Sequence, residues 1–215
     1  MNIKCLCGSH SFNNRHRCWT CGAIDKSKAK DKGVHALVWA VVDKDPDAVK
    51  AWIKAGADVN EKNVWNGEGG TTIMVAANYG QQRCVDLLIA AGADVNVADN
   101  YGFAPLHHAA HITCEIDIHY ESLKSIVSSL IAAGANINAR DNEGATPLMR
   151  AVKRIKPYSV SVLLQAGADP NLRDPKGETA LAMAYDRATW SEIIRFHERE
   201  NKLVIQFLER AGARK

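Results

Sequence analysis

Apolar residues along this chain come in short clusters at helical spacing, each halted by a glycine. Val85-Asp86-Leu87-Leu88, Ile126-Val127-Ser128-Ser129-Leu130 and Val160-Ser161-Val162-Leu163-Leu164 are three such clusters, ending at Gly92, Gly134 and Gly167. The pattern predicts three helices, each closed by the residue best able to take the left-handed C-terminal conformation. A second kind of cluster precedes them. At Thr146-Pro147-Leu148 the hydroxyl is placed to cap a helix and the proline to occupy its first turn, where a missing N–H costs nothing. Leu148 and Ala151 are expected to face inward, with Ala109 and Ala110 in the same role one unit earlier; small residues there let stacked helices approach closely. Thr189-Trp190-Ser191-Glu192 reads as a capping box opening a last helix through Phe207, with Arg195, Glu198, Arg199, Glu200 and Lys202 keeping one side soluble. No uncharged apolar run reaches the ~20 residues needed to span a bilayer, so no membrane association is expected.

The clusters repeat. Gly56-Ala57-Asp58-Val59-Asn60 returns as Gly92 to Asn96, as Gly134-Ala135-Asn136-Ile137-Asn138 and as Gly167-Ala168-Asp169-Pro170-Asn171, with a stump at Gly212-Ala213. The glycines are 36, 42, 33 and 45 residues apart. A second string, Gly102-Phe103-Ala104-Pro105-Leu106-His107-His108-Ala109-Ala110 and Gly144-Ala145-Thr146-Pro147-Leu148-Met149-Arg150-Ala151, alternates with the first, and weaker copies run from Gly33, Gly69 and Gly177. Two motifs in fixed order resemble the ankyrin repeat, a unit of about 33 residues containing Thr-Pro-Leu-His-x-Ala. The resemblance covers roughly residues 31–215. It implies an all-α solenoid of about five stacked helix-turn-helix units with hairpin tips, placed at 33–215, in which each unit depends on its neighbours to bury its apolar face. The units depart from the pattern at His35-Ala36-Leu37-Val38, in the loop Lys62 to Gly69, and in an insertion from His111 to Ser122.

Charge and cysteine separate a head from this body. The chain carries 27 basic and 24 acidic residues, net +3. Residues 1–32 hold seven basic and two acidic residues, or +5, which leaves the rest at −2. Four of six cysteines, Cys5, Cys7, Cys18 and Cys21, lie in the same head. Cys5-x-Cys7-Gly8 and Cys18-Trp19-Thr20-Cys21-Gly22 form two knuckles able to wrap a tetrahedral ion, and the pattern is similar to small zinc-knuckle or zinc-ribbon modules. A structural Zn2+ on four thiolates is expected in residues 1–25, with His10 or His16 as substitutes for one cysteine. A disulfide arrangement is the alternative; the missing secretory leader, which points to a cytoplasmic protein, disfavours it. Residues 26–32 read as a basic linker. Arg15, Arg17, Phe12 and Trp19 leave open a nucleic-acid contact through the head, beside the plainer reading of a fold-holding knuckle.

No catalytic set assembles. His107 and His111 share a helical face, yet the glutamate of a metalloprotease motif, a phosphate loop and a nucleophile elbow are all absent. The resemblance assigns His107 a structural role tying adjacent units. Cys114-Glu115-Ile116-Asp117-Ile118-His119 holds ligand-type residues that a solvated loop explains equally well, and Cys84 reads as a small buried apolar residue. A non-enzymatic protein-binding module without a small-molecule substrate is therefore expected, acting as scaffold, adaptor or occluding inhibitor. The resemblance places its partner on the hairpin tips (Trp65, Glu68, Asn100, Tyr101, Phe103, Asn142, Glu143, Lys176, Glu178) and on exposed positions of the first helices (Asn78, Tyr79, His111, Ile112, Lys153, Arg154, Asp186, Arg187). Trp65, Tyr79, Tyr101 and Phe103 are the expected aromatic centre, and Lys153, Arg154, Lys156, Lys176 and Arg187 the expected cationic flank.

Overall fold

The computed structural model describes residues 36–62, 69–110, 120–188 and 198–215. Among these residues the chain forms ten helices: α1 (36–42), α2 (Pro46–Lys54), α3 (Thr72–Asn78), α4 (Gln82–Ala90), α5 (Pro105–Ala110), α6 (Tyr120–Ala132), α7 (Pro147–Lys153), α8 (Pro157–Gln165), α9 (Ala180–Ala188) and α10 (Glu198–Arg210). They make five consecutive pairs. The odd-numbered helices stack as one layer, α3 on α5, α5 on α7 and α7 on α9. The even-numbered ones stack as a second, α2 on α4, α4 on α6, α6 on α8 and α8 on α10. Between units the chain leaves the second layer, turns through a hairpin tip and enters the first.

The sequence explains both layers. Ala76, Ala77, Ala109, Ala110, Ala151 and Ala184 are buried to 1% exposure or less on the inner helices, and the absence of larger side chains there lets successive short helices approach backbone to backbone. Bulk comes from elsewhere: Leu37, Trp52, Leu88, Leu106, Ile126, Leu130, Leu148, Leu163 and Leu208 are all fully buried in one continuous core running from Ala36 to Leu208. Each such side chain contributes roughly 1.5–3 kcal/mol of transfer free energy, but only because the next unit covers it.

The caps fall where the sequence places them. Thr146 Oγ1 accepts the Met149 N–H at 3.3 Å and Pro147 opens α7. The fourth position of this turn also reaches back to the N–H of the capping residue. His107 Nδ1 accepts from Ala104 at 3.1 Å, and the Met74 and Met149 sulfurs accept from Thr71 and Thr146 at 3.4 Å. A thioether therefore takes the acceptor role that a glutamate fills in the common capping box. The last helix differs from expectation at its end. It runs past Phe207 to Arg210 because Val204 and Leu208, four residues apart, both lie fully buried on one face, and it stops at Gly212, φ 77°. Its expected start at Thr189 to Glu192 falls outside the described residues.

The recurring Gly-Ala-Asp-Val-Asn string is a staple. Its aspartate or asparagine accepts the N–H two residues on (Asp58 from Asn60, Asp94 from Asn96, Asn136 from Asn138, Asp169 from Asn171; 2.8–3.0 Å). That turn aims the final asparagine at the next unit. Asn60 Oδ1 accepts from Asp94 N and its Nδ2 donates to the Gly92 carbonyl. Asn96 does the same to Asn136 and Gly134, and Asn171 to Arg214 and Gly212, while Asn138 accepts from Asp169. Asn96→Ala removes two bonds across an exposed junction, so urea unfolding should show a loss of about 1–2 kcal/mol; an unchanged midpoint would remove the staple from the account.

Candidate protein-interaction face

The hairpin tips of units three, four and five are built on one buried aspartate each. Asp99, Asp141 and Asp174 are 6%, 6% and 8% exposed. In each, Oδ1 accepts two backbone N–H groups, from Tyr101 and Phe103, from Glu143 and Ala145, and from Lys176 and Glu178, all at 2.9–3.0 Å. The chain folds back over this oxygen through Gly102, Gly144 and Gly177, all at positive φ. Gly102 has a further reason to be glycine: a Cβ there would stand 2.5 Å from the backbone nitrogen of Asn142. Neighbouring tips are tied by Asn142, which donates its backbone N–H to the Tyr101 carbonyl at 3.0 Å and its amide to the Asn100 carbonyl at 2.9 Å.

Two of the three aspartates hold a side-chain donor on the second oxygen. Asp99 Oδ2 meets His108 Nε2 at 2.9 Å. Burial alone would raise the Asp99 pKa, yet the hydrogen bonds from His108, Phe103 and Tyr101 outweigh it and hold the carboxyl below its usual value. Asp141 Oδ2 accepts from Arg150 Nε, and the same guanidinium reaches Glu143 at 2.9 Å. Lys153 stands 3.9 Å from that glutamate. Arg150 also lies over the Phe103 ring, 4.9 Å from its centroid, a cation–π contact across the junction of units three and four.

This packing distinguishes the members of the expected aromatic centre. Phe103 is half-buried: its ring stacks on His107 at 5.6 Å, meets His108 edge-on at 5.9 Å and is covered by Arg150. It is the floor of the tip and not a free anchor, because the hairpin turns it back toward α5. Tyr101, two residues earlier, points the other way and is 56% exposed, with its ring 6.1 Å from Phe103. Tyr79 is half-buried at the C-cap of α3, with Asn78 beside it. Asn100 and Asn142 are tip-to-tip links, and Glu143 is committed to Arg150. Arg154, Lys176 and Asp186 are exposed as expected, Lys176 and Asp186 on the fifth unit, away from this cluster. Trp65, Glu68, His111, Ile112, the Arg187 side chain and Cys5, Cys7, Cys18 and Cys21 lie outside the described residues.

His107 performs the structural role expected of it. Nδ1 accepts from Ala104, which leaves the proton on Nε2 to donate to the Ala145 carbonyl of the next unit at 3.2 Å. Both ring nitrogens are occupied, so it is unavailable to a metal. Among the described residues no three His, Cys, Asp or Glu side chains converge as ligands. Burial pushes the Cys84 thiol up to about 11, with nearby Asp45 adding to the effect, the state of an inert core residue. The buried aspartates and Arg150 were absent from the sequence reading. Their signal was present in it: Asp99, Asp141 and Asp174 each stand three residues before the tip glycine.

Comparison with known proteins agrees with this geometry. Models described as ankyrin repeats match residues 37–119 and 130–184, and a single ankyrin-repeat model matches 101–142. Together they cover 37–184 without a gap, and the chain belongs to the ankyrin-repeat proteins, whose repeats mediate protein–protein interaction. Protein phosphatase 1 regulatory subunit 12A of Mus musculus is 42% identical over 64 residues, 29% of this chain and 6% of that protein. E3 ubiquitin-protein ligase KEG of Arabidopsis thaliana is 37% identical over 73 residues, 34% of this chain and 4% of its own length. The chain thus spans only a small part of the relatives it matches. Among the described residues no helix is long and apolar enough to cross a membrane.

Two outcomes follow from the tip geometry. Burial lowers the His107 pKa in the folded state, so the unfolded chain binds the extra proton first, and stability should fall as pH drops through about 6.5. Thermal melts of His107→Met, which copies the Met149 position, should lose that part of the acid dependence; an identical pH profile would contradict the assignment. Phe103→Ala should cost about 1–3 kcal/mol in urea unfolding, whereas Tyr101→Ala should leave the midpoint within about 0.5 kcal/mol.

Proposed function

We propose that this chain is a protein-binding module without chemistry of its own, whose concave face of hairpin tips and inner helices grips a polypeptide partner, by scaffolding or by occluding the surface it covers. One observation carries the reading: Tyr101 stands 56% exposed on a tip that is otherwise held rigid. Its N–H is fixed by Asp99 and its carbonyl by Asn142, and its ring borders a floor of Phe103 under Arg150. A large amphipathic ring presented on an ordered backbone loses little entropy on binding and is a typical interface anchor. Lys153, Arg154 and Lys156 on unit four, and Lys176 further along on unit five, supply positive charge that favours acidic groups of the partner. That one relative is named a regulatory subunit supports a role exercised through a partner.

For residues 1–25 we propose a structural zinc held by Cys5, Cys7, Cys18 and Cys21; the support is their spacing and the four-thiolate chemistry it permits. Less than about half an equivalent of zinc in freshly purified protein would refute it.

The interaction face is tested by affinity capture with the full chain from its native cell, comparing wild type, Tyr101→Ala and Tyr158→Ala. Tyr158 is a matched control, 69% exposed on the outer helix α8. The captured partner should lose about 1–3 kcal/mol of affinity in calorimetry with Tyr101→Ala and nothing with Tyr158→Ala. Equal affinity of wild type and Tyr101→Ala would place the interface elsewhere.

A further inference from the structure

Units three and four each supply a donor for their own hairpin aspartate from the residue nine positions on: the His108 imidazole for Asp99 and the Arg150 guanidinium for Asp141. The fifth unit does not. Nine residues after Asp174 stands Met183, uncharged and buried in the core at 5% exposure. Asp174 Oδ1 makes the same two amide bonds as its counterparts, to Lys176 and Glu178. Its Oδ2, the oxygen that meets His108 or Arg150 in the other two units, has no partner among the described residues although Asp174 is only 8% exposed. Nor is that oxygen sealed away: among the described residues the enclosed, unpartnered side-chain atoms are Thr71 Oγ1, Thr72 Oγ1 and Asn201 Oδ1. It is therefore not completely enclosed, on a carboxylate that is otherwise buried.

Among the described residues the cations nearby do not fill the place. Arg173 spends its guanidinium on the Gly177 and Lys215 carbonyls, at 2.6 and 3.3 Å. Lys176 is exposed and makes no ion pair among the described residues. A second carboxylate belongs to the same hairpin: Glu178 holds the register position of Phe103, the residue whose ring flanks His108 in unit three. A carboxylate that has lost most of its hydration and keeps one oxygen unbonded gains strongly from an incoming positive charge, more than a fully solvated one does.

We propose that Asp174, with Glu178 beside it, receives a basic side chain of the bound polypeptide, so that the partner supplies on unit five the side-chain donor that units three and four supply for themselves. This deepens the concave-face reading and rests on it. It also gives the partner a register: acidic groups toward Lys153 and Arg154 of unit four, and one cationic group a single unit further on. A segment of the wrong charge order then places like charges together, which is a discrimination that contact area alone does not provide.

The socket is tested without the partner. The isotope-labelled full chain is titrated with acetyl-arginine amide, acetyl-lysine amide and the neutral acetyl-citrulline amide, at matched ionic strength, while the backbone amides of Lys176 and Glu178 are followed by NMR. Those amides should move progressively with the arginine or lysine probe and stay in place with citrulline. Asp174→Asn retains an oxygen for both amide bonds and keeps the turn, and it should weaken the response at least about tenfold. Glu121→Gln, removing an exposed carboxylate on the outer helix α6, should leave the response unchanged. Equal movement with citrulline, equal movement in Asp174→Asn, or no movement with either basic probe would overturn the proposal. Because the titration contains no partner, its failure leaves the Tyr101 comparison standing. Equal capture by wild type and Tyr101→Ala with an intact titration would instead sink the concave-face reading and spare the socket.

Discussion

A pair of helices of six to thirteen residues cannot hide its own apolar face. Isolated helices of this length are marginal in water, and two of them expose one broad stripe that only a further pair can cover. That constraint sets everything else here. It requires alanine on the inner helices, where backbones approach, and leucine, isoleucine and valine between the layers. It also makes the core one continuous strip from Ala36 to Leu208, so stability is largely a sum over junctions between neighbours.

Apolar stacking is non-directional and would tolerate sliding. Direction comes from side chains bonded to backbone across the junctions. The asparagine ending each Gly-Ala-Asp-Val-Asn string registers the outer edge, His107 registers the inner layer through the Ala145 carbonyl, and Asn142 registers the tips. Each bond is worth little in water, about 0.5–1.5 kcal/mol. Repeated at junction after junction they convert a greasy stack into a surface of fixed shape, and fixed shape is what a binding face needs, since ordering it at the moment of association would cost affinity.

In the proposed function the hairpin aspartates connect this scaffold to recognition. One oxygen of each closes the turn. The other oxygen has a partner that varies among the described residues: imidazole at Asp99, guanidinium at Asp141, none at Asp174. The same backbone device therefore carries three electrostatic characters along one face. Phe103, wedged between His107 and the Arg150 guanidinium, couples the character of one unit to the packing of the next.

Much of this was legible in the chain alone. The recurring glycines, the Thr146-Pro147 cap and the inward Leu148 and Ala151 follow from local chemistry repeated from unit to unit, and local chemistry is what a linear pattern encodes; the structural role of His107 followed from the resemblance to the ankyrin repeat. The extent of α10 was missed because its end is set by Leu208 packing into the stack, a contact without a local signature. Phe103 and Tyr101, two residues apart, looked alike in the sequence as exposed tip aromatics. Phe103 turns toward His107 and His108 of its own unit and is covered by the Arg150 guanidinium of the next, 47 positions away. The sequence by itself determined the units, their order and their mutual dependence, because each is written in its own residues. Only the tertiary structure decided which side chains remain free to bind, because that is settled by what the neighbouring unit has already taken.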